Sequence, residues 1–390
     1  MCNDNMKIVI AIDSFKGSLS SYEAGRAVSE GIAAVDRDTQ TVVCPLADGG
    51  EGTASAITSA MGGRLCKARV CGPLGDYIEA EYGVIPEERT AIIEMATAAG
   101  ITLIDAEKRN PLLTTTYGVG ELVAHAIKEN DCRKFIIGIG GSATNDGGVG
   151  MLQALGFSFL DAKGNEIPRG AQGLSGLAEI KCEGALAELA ECEFHIACDV
   201  TNPLCGESGC SAIYGPQKGA TPEMVRDMDR WLERYASISE KATGGSFAHA
   251  PGAGAAGGLG FAFISYLSGH LESGIELVMR TTHLAQKIKN ADIVITGEGR
   301  LDGQTSMGKA PIGVAKLAKK YGKPVIAFSG CLGDGAALCN HHGIDAFFPI
   351  LRSVCTIEEA MDKDVAYQNL KNTAEQVFRL IRTIRLFDQA

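Results

Sequence analysis

Short apolar blocks alternate along this chain with segments of helical periodicity. Several of the apolar blocks are continuous, which is typical of strands buried on both faces of a parallel sheet. They predict strands over Lys7–Ile12, Thr41–Leu46, Ala91–Met95, Lys134–Ile139, Glu193–Cys198, Asp292–Thr296, Pro324–Phe328 and Asp345–Ile350. The segments between them predict helices over Tyr22–Ala34, Thr53–Met61, Gly120–Glu129, Gly148–Leu155, Pro222–Ala236, Pro311–Tyr321 and Asp364–Leu386. Strands and helices in alternation predict an α/β fold.

The rhythm of these elements is regular at both ends of the chain and irregular in the middle. We therefore predict a Rossmann/flavodoxin-like parallel-sheet domain built from residues 1–65 and 290–390. Residues 66–289 would form a second α/β domain inserted into the first. Two consecutive domains are the alternative, and periodicity does not distinguish the two arrangements.

Composition narrows the class of protein. The 390 residues carry a formal net charge of -11, which argues against binding to nucleic acid or to an anionic membrane. No apolar stretch reaches the ~18 residues of a membrane-spanning helix. The 13 cysteines include no C-x-x-C pair, and the first residues do not read as a signal peptide. We expect a cytoplasmic protein with reduced thiols and small-molecule partners, either a monomer or a homodimer.

The 49 glycines cluster in loops that directly follow predicted strands. Open parallel sheets bind ligands just beyond the carboxyl ends of their strands. Glycine leaves backbone N–H groups accessible to anions, and acids in the same loops suit Mg²⁺ binding or proton acceptance. This combination points to phosphoryl transfer from a magnesium-nucleotide. Five loops carry it: Asp13–Ser18, Ala47–Gly52, Gly138–Gly148, Cys198–Pro203 and Gly297–Thr305.

Three glycine patterns resemble known nucleotide motifs only in part. Gly303–Lys309 fits G-x-x-x-x-G-K, but Ala310 replaces the required Ser or Thr and no strand is predicted immediately before it, so a P-loop is disfavoured. Gly252–Gly257 fits the dinucleotide pattern but follows no clear strand. Gly138–Ala143 follows a strand but lacks the acid that should end the next strand. An NAD-dependent hydroxy-acid dehydrogenase is therefore a minority alternative.

Seven motifs in order closely resemble the bacterial glycerate kinase family, the type unrelated to the larger MOFRL-domain glycerate kinases. They are Asp13–Ser18, Asp48–Gly52, Gly140–Gly148, Cys198–Pro203, Tyr214–Gly219, Gly252–Gly258 and Thr296–Asp302. The resemblance runs from about Lys7 to about Arg385. It implies ATP-dependent phosphorylation of D-glycerate in a cleft between two α/β domains, and it favours 2-phosphoglycerate as product. A 3-phosphoglycerate-forming kinase and a non-catalytic hydroxy-acid sensor are the alternatives.

Residue roles are hypotheses from physical chemistry, because the resemblance does not assign them. Cations and loop amides suit the carboxylate of glycerate and the phosphates of ATP, whereas acids suit Mg²⁺ or a proton. Asp199 and Asn202 follow one strand, and we expect the turn to aim both side chains into one small volume, with a simple Asx turn as the alternative. The catalytic candidates are Asp199, Lys16 and Asp13. The substrate- and phosphate-binding candidates are Ser14, Asp48, Arg69, Ser142, Asn145, Asn202 and Arg300. The ATP-binding glycines are Gly140, Gly141, Gly254, Gly257 and Gly297, and the Mg²⁺ candidates are Asp146, Glu298 and Asp302.

Overall fold

The computed structural model describes residues 6–46, 50 and 52–388. Within these residues the strands are β1 (Lys7–Ile10), β2 (Gln40–Val43), β3 (Arg64–Cys71), β4 (Tyr77–Ile85), β5 (Thr90–Glu94), β6 (Lys134–Gly138), β7 (Ser158–Asp161), β8 (Leu177–Lys181), β9 (Glu193–Ala197), β10 (His270–Glu272), β11 (Ile293–Leu301), β12 (Val325–Leu332) and β13 (Ala346–Pro349).

The helices of the same residues are α1 (Ser21–Ala33), α2 (Thr53–Ala60), α3 (Ala96–Ala99), α4 (Tyr117–Asn130), α5 (Val149–Ala154), α6 (Cys210–Tyr214), α7 (Pro222–Thr243), α8 (Ala255–Leu267), α9 (Gly274–Thr281), α10 (Leu284–Lys289), α11 (Ala310–Lys320), α12 (Leu338–His341), α13 (Ile357–Met361) and α14 (Lys363–Asp388). Short 3-10 helices span Pro86–Glu88, Ile101–Leu103, Ala106–Lys108, Ala171–Gly176, Ala187–Glu191, Pro216–Lys218 and Thr305–Met307.

The predicted strands and helices are all present, most with their ends shifted by a few residues. The largest strand difference is β11, which continues to Leu301 instead of ending at Thr296. Its glycine-rich end resembles a loop in sequence, but Glu298, Arg300 and Leu301 still pair with β12. The hairpin of β3 and β4 was not predicted, because charged and exposed residues interrupt the apolar residues over much of both strands.

The chain divides into two compact units. Unit 1 consists of Met1–Asp48, Ser59–Met61 and Ile275–Ala390, and unit 2 consists of Gly49–Thr58 and Gly62–Gly274. The predicted domain boundaries, with residues 1–65 and 290–390 in one domain and 66–289 in the other, stay a prediction. Within unit 1, a β carbon on Gly313 of α11 would lie 3.1 Å from Cγ1 of Ile275 in α9. The segment before residue 290 therefore packs on the C-terminal part of the chain.

Unit 1 is built on a five-stranded parallel sheet in the order β13-β12-β11-β1-β2. Its core includes apolar side chains of β1, β11, α1 and α14. Helix α1 begins with a capping box: Ser20 Oγ accepts from Glu23 N, and a Glu23 oxygen accepts from Ser20 N. Parallel pairing brings the carboxyl ends of all five strands to one edge.

Unit 2 contains a six-stranded mixed sheet in the order β10-β9-β6-β5-β4-β3. The four strands β10, β9, β6 and β5 are parallel, whereas β4 and β3 are antiparallel additions. Phe135 and Phe194 stack in its core with their ring centroids 4.9 Å apart. A separate two-stranded ribbon pairs β7 with β8. The α/β fold class predicted from the sequence is confirmed in both units.

The described part of the chain contains no helix that is both long and apolar enough to span a bilayer.

The close packing of α1 on α14 leads to a stability prediction. A β carbon on Gly31 would lie 2.3 Å from the carbonyl oxygen of Lys371 and 3.0 Å from Ala374 Cβ. We expect Gly31→Ala to lower the free energy of unfolding by about 1–3 kcal/mol, because overpacking outweighs the helix propensity of alanine. Urea denaturation measures it, with Gly176→Ala as the control, since a β carbon there meets nothing within 4 Å. An unchanged Gly31→Ala protein would contradict this packing.

Candidate active site

The carboxyl edge of the unit 1 sheet brings together the acids and cations of two predicted loops. Strands β1 and β11 are neighbours, and the N–H that follows β1 at Asp13 donates to the carbonyl of Gly297 over 2.9 Å. Asp13 is buried, with Oδ1 accepting from Ser14 N over 2.7 Å. Lys16 lies in the same loop and exerts an electrostatic effect on Glu298. Candidates Asp13, Ser14, Lys16 and Glu298 therefore share this edge.

Glu298 is a buried carboxyl group at this polar edge, with 9% of its surface exposed. Its Oε1 accepts from Thr305 Oγ1 over 2.5 Å. Loss of hydration raises the pKa of Glu298, and the hydrogen bond from Thr305 together with the charges of Lys309 and Lys16 offsets this only in part. Holding this carboxylate charged at neutral pH therefore costs folding free energy.

Asp302 and Arg300 stand beside Glu298. Asp302 Oδ1 accepts from the backbone N–H groups of Gln304 and Thr305, and Oδ2 lies 3.5 Å from Arg300 Nε. Partial burial works to raise the pKa of Asp302, but the two backbone hydrogen bonds and the charges of Lys309 and Arg300 lower it overall. Asp302 therefore stays ionised beside two cations.

The loop that was disfavoured as a P-loop has a strand before it after all. Strand β11 ends at Leu301, the Gly303–Lys309 loop follows, and α11 begins at Ala310. One of the two grounds against a phosphate loop was thus wrong, because β11 is longer than its sequence pattern indicates. The other ground holds, since Ala310 has no hydroxyl group. The loop itself contains two hydroxyl groups: that of Thr305 donates to Glu298, and that of Ser306 donates to the carbonyl of Gly303.

In unit 2, the loop after β6 is organised by a fully buried carboxyl group. Asp146 Oδ2 accepts from Thr116 N (2.8 Å), Thr116 Oγ1 (2.9 Å) and Gly150 N (3.3 Å), and Oδ1 accepts from Gly148 N (3.2 Å). Burial raises the pKa of Asp146, against these bonds. Both oxygens are engaged, which argues against the predicted role as a Mg²⁺ ligand and favours a structural role.

Behind this loop lies a buried lysine that the sequence analysis did not select. Lys218 is 2% exposed, and its Nζ donates to Ser142 Oγ over 2.8 Å and to the carbonyl of Thr144 over 2.6 Å. Burial lowers the pKa of Lys218 to about 8. Asn145 Nδ2 donates to Ser211 Oγ over 2.8 Å. The predicted binding residues Ser142 and Asn145 are therefore each hydrogen-bonded to a buried side chain, Ser142 to Lys218 and Asn145 to Ser211.

Asp199 and Asn202 bond different segments. Asp199 is exposed and its Oδ1 accepts from Gly274 N over 3.1 Å. Asn202 Oδ1 accepts from Tyr214 Oη over 2.6 Å, and its Nδ2 donates to the carbonyl of Ser208 over 2.9 Å. Both polar atoms of the Asn202 amide thus hold the 202–214 loop. The catalytic role of Asp199 stays a prediction, and the binding role of Asn202 loses support.

Several glycines predicted to bind ATP are required by packing within the fold. A β carbon on Gly257 would lie 2.0 Å from the carbonyl oxygen of Thr144, one on Gly254 would lie 2.2 Å from that of Pro203, and one on Gly297 would lie 2.0 Å from that of Phe328. Close backbone approach therefore explains these three glycines without a ligand. Gly140 and Gly141 differ from these three glycines, because both are exposed at the carboxyl end of β6 and can be reached by a ligand.

Two substrate-binding candidates stand apart from these loops. Arg69 lies in the antiparallel hairpin, and its guanidinium group lies 5.1 Å from the centroid of the Tyr77 ring. It is therefore not at the carboxyl end of a parallel strand, where open sheets place their ligands. Asp48 lies outside the described residues.

The structure adds Glu94, Lys218, Thr305 and Lys309 to the candidates. Glu94 ends β5, and its oxygens accept from Gly52 N (3.2 Å) and Ala54 N (2.7 Å) at the start of α2. The carboxyl-end rule would have found Glu94 if the strand had been ended one residue earlier. Lys309 was visible in the G-x-x-x-x-G-K pattern. Lys218 lies within the Tyr214–Gly219 motif, but no spacing rule connects it to Ser142, which is 76 residues away in the chain.

The Mg²⁺ candidates do not all belong to one unit. Asp146 lies in unit 2, whereas Glu298 and Asp302 lie in unit 1. Across the part of the chain that the structure describes, no group of three His, Cys, Asp or Glu side chains could hold a metal ion alone. Mg²⁺ in phosphoryl-transfer sites usually uses one or two carboxylates together with substrate phosphates. The pair Glu298 and Asp302 fits that chemistry.

Known proteins are similar to this chain in sequence and in architecture. The model of the glycerate kinase family matches residues 8–382. The chain is 48% identical to the glycerate 2-kinase of Escherichia coli (95% of this chain, 97% of that protein) and 47% identical to the glycerate kinase of Haemophilus influenzae (96% and 99%). The chain also superposes on the crystal structure of a protein from Salmonella typhimurium LT2 that is named glycerate kinase 2. The TM-score is 0.91 at 45% identity, and the match covers 98% of this chain and 100% of that one.

The chain therefore belongs to the glycerate kinase family. This confirms the family indicated by the seven sequence motifs and the predicted class of enzyme, a phosphotransferase.

The buried carboxylate of Glu298 yields a prediction in which stability and activity move in opposite directions. Its folded-state pKa is raised, so the folded protein binds more protons than the unfolded chain, and stability falls as pH rises from the unfolded value (~4.3) through the folded one. Glu298→Gln keeps an acceptor for Thr305 but carries no charge. We expect the variant to be more stable than the parent protein at pH 7.5, with the difference shrinking towards pH 4.5.

We expect the same variant to lose about 10²–10³-fold in kcat, the usual cost of removing one electrostatic group from a reaction centre. Thermal melts at both pH values and steady-state kinetics measure the two effects. Glu358→Gln, on the exposed turn of α13, is the control and should change neither quantity. Lower stability at pH 7.5 together with normal turnover would contradict the placement of Glu298 in the reaction centre.

Proposed function

We propose that this protein transfers the γ-phosphoryl group of ATP to the 2-hydroxyl of D-glycerate, giving 2-phosphoglycerate and ADP. The observation that carries the proposal is the 48% identity, over 95% of the chain, to a protein named glycerate 2-kinase. The chemistry of the two sheet edges is consistent with it. The unit 1 edge combines the cations Lys16, Arg300 and Lys309 with loops at the carboxyl ends of parallel strands, and the unit 2 edge offers hydroxyl and amide groups in such a loop. The small-molecule partners are then D-glycerate and ATP, and we propose a cytoplasmic location.

The unit 1 edge fits the phosphates of ATP and one Mg²⁺ ion. Lys16, Arg300 and Lys309 supply positive charge, and the Gly303–Lys309 loop leads into the first turn of α11, whose backbone N–H groups favour anions. Glu298 and Asp302 are the carboxylates that would hold the ion. When bound, Mg²⁺ would neutralise phosphate charge and orient the oxygens of the transferred group. The buried, raised-pKa carboxyl of Glu298 is otherwise an unexplained cost to the fold.

The side chains of the chain itself act by position and charge. Lys16 lies in the loop after β1 and would stabilise negative charge that shifts during transfer. Asp13, buried next to that loop, and Asp199, at the end of β9, are the two carboxylates proposed to accept the proton of the attacking hydroxyl. Asp13 has the stronger case, because backbone pairing of Asp13 with β11 holds it beside the residues just described.

The unit 2 edge would bind an anionic oxygen of a substrate. Ser142 follows the exposed Gly140 and Gly141 at the end of β6, which leaves the backbone open to a ligand there. D-Glycerate has one carboxylate and two hydroxyl groups. A site for it therefore needs hydrogen-bond donors for the carboxylate, and both donors and acceptors for the hydroxyl groups. Ser142 and Asn145 are residues of that type.

The direct test is turnover by the purified protein. We expect ATP consumption that requires both D-glycerate and Mg²⁺ and that stops when EDTA removes the metal. Phosphorus NMR of the product should show 2-phosphoglycerate, because its phosphorus couples to the proton on C2. L-Glycerate is the matched control substrate. A product phosphorylated at the 3-hydroxyl would reject the stated regiochemistry, and glycerate-independent ATP loss would reject the function.

A further inference from the structure

In the part of the chain that the structure describes, the buried ammonium group of Lys218 has no carboxylate in contact. Its hydrogen bonds go to two neutral oxygens, Ser142 Oγ and the carbonyl of Thr144, and among the described residues it forms no salt bridge. Asp146 acts on it only through space. Burying a cation among neutral acceptors costs desolvation free energy. An amide or an apolar side chain could pack at this position with a smaller desolvation cost. The charge of Lys218 therefore needs an explanation beyond packing.

The bond to Ser142 decides how that hydroxyl group can act. A serine hydroxyl has one proton to donate and an oxygen that accepts. Because Lys218 Nζ donates to the oxygen, the proton of Ser142 cannot point at Lys218 and is directed elsewhere. Donation from an ammonium group also polarises the hydroxyl and makes it a stronger donor, as in other hydrogen-bond chains. Ser142 is thereby fixed as a donor next to exposed Gly140 and Gly141.

Two further atoms in the same turn lack a partner. Thr144 Oγ1 and Asn145 Oδ1 are fully buried, and neither has a hydrogen bond within the described part of the chain. The Asn145 amide is oriented by its Nδ2 bond to Ser211, so Oδ1 can accept a hydrogen bond from a ligand hydroxyl. The turn thus offers one polarised donor and an acceptor within four consecutive residues. Buried polar atoms normally pair, so these atoms point to a ligand of matching polarity.

We propose that Lys218 is a positioning residue of the kinase, which orients and polarises the Ser142 hydroxyl so that it donates to an anionic oxygen of a bound substrate. That oxygen belongs either to the carboxylate of D-glycerate or to a phosphate of ATP. The proposal rests on the proposed function for the reaction that it serves. Lys218 does not contact the substrate itself, and its effect passes through Ser142.

A double-mutant cycle tests this dependence. Ser142→Ala and Lys218→Met should each lower kcat/KM by about 10- to 100-fold, and the double variant should lie within about twofold of Ser142→Ala, because Lys218 has nothing to orient without the hydroxyl. The substrate whose KM rises identifies the anion: D-glycerate for a carboxylate, ATP for a phosphate. Losses that multiply in the double variant would overturn the proposal, because a purely structural lysine acts independently of Ser142.

The control is a buried hydroxyl elsewhere in unit 2. Ser239 Oγ donates to the carbonyl of Tyr235 (2.8 Å) and accepts from Tyr266 Oη (2.7 Å). Ser239→Ala should lower stability, leave kcat/KM within about twofold of the parent protein, and combine multiplicatively with Lys218→Met. Thermal melts report whether each variant is folded. If Lys218→Met does not fold, Lys218→Gln keeps a neutral donor, and the same non-additivity with Ser142→Ala is expected for it.

Failure of this proposal is separable from failure of the proposed function. The parent protein is assayed first, and absence of glycerate-dependent turnover rejects the function alone. The double-mutant cycle of Ser142→Ala and Lys218→Met is then repeated with the dissociation constants of D-glycerate and of ATP, measured by isothermal titration calorimetry. For one of the two ligands, the double variant should bind about as well as Ser142→Ala alone. Equal binding of both ligands to Lys218→Met and to the parent protein would reject the role of Lys218.

Discussion

Parallel strand pairing is the constraint on which the functional part of this protein depends. It requires neighbouring strands to end on the same side, so residues far apart in sequence meet at one edge. In unit 1 the pairing of β1 with β11 brings Asp13 and Lys16 to Glu298, which lies 285 residues after Asp13 in the chain. In unit 2 the pairing of β5, β6 and β9 collects Glu94, the Gly138–Gly148 loop and Asp199 in the same way.

At both edges, charged groups are buried at a cost to stability and held by uncharged partners. Glu298 is held by the hydroxyl of Thr305, Asp146 by four N–H and O–H donors, and Lys218 by two neutral oxygens. Burial raises the pKa of Glu298 and of Asp146 and lowers the pKa of Lys218, so it favours the neutral form of each group. The three sites differ in their remaining hydrogen-bonding capacity. Both oxygens of Asp146 are occupied by donors of the fold, whereas Glu298 and the Ser142 hydroxyl next to Lys218 can still bind a ligand.

The sequence was a good guide to the parallel strands and a poor guide to the surrounding detail. Continuous apolar blocks identify β1, β6 and β12, because strands buried on both faces need no polar alternation. The end of β11 was missed, because glycine, Glu298 and Arg300 resemble a loop until β12 is seen to pair with them. The candidate residues at strand ends could be found because parallel strands all end at the same edge of the sheet, where ligands bind.

Residue roles were less predictable, because they depend on contacts that only the folded chain makes. The side chain of Asp146 appears in sequence as one more loop acid, and only its four hydrogen bonds set it apart from Glu298. The glycines at Gly254 and Gly257 resemble a nucleotide motif, yet they make room for the carbonyls of Pro203 and Thr144. Lys218 was overlooked because no spacing rule connects it to Ser142.

Hydrogen–deuterium exchange with and without D-glycerate, Mg²⁺ and a non-hydrolysable ATP analogue tests whether ligands bind at these two carboxyl edges. We expect slower exchange with the ligands present in peptides that cover Asp13–Ser18, Gly140–Asn145 and Glu298–Lys309. Peptides of the β3–β4 hairpin should exchange at the same rate in both states. Protection confined to that hairpin, with none in the three loops, would exclude ligand binding at the two edges.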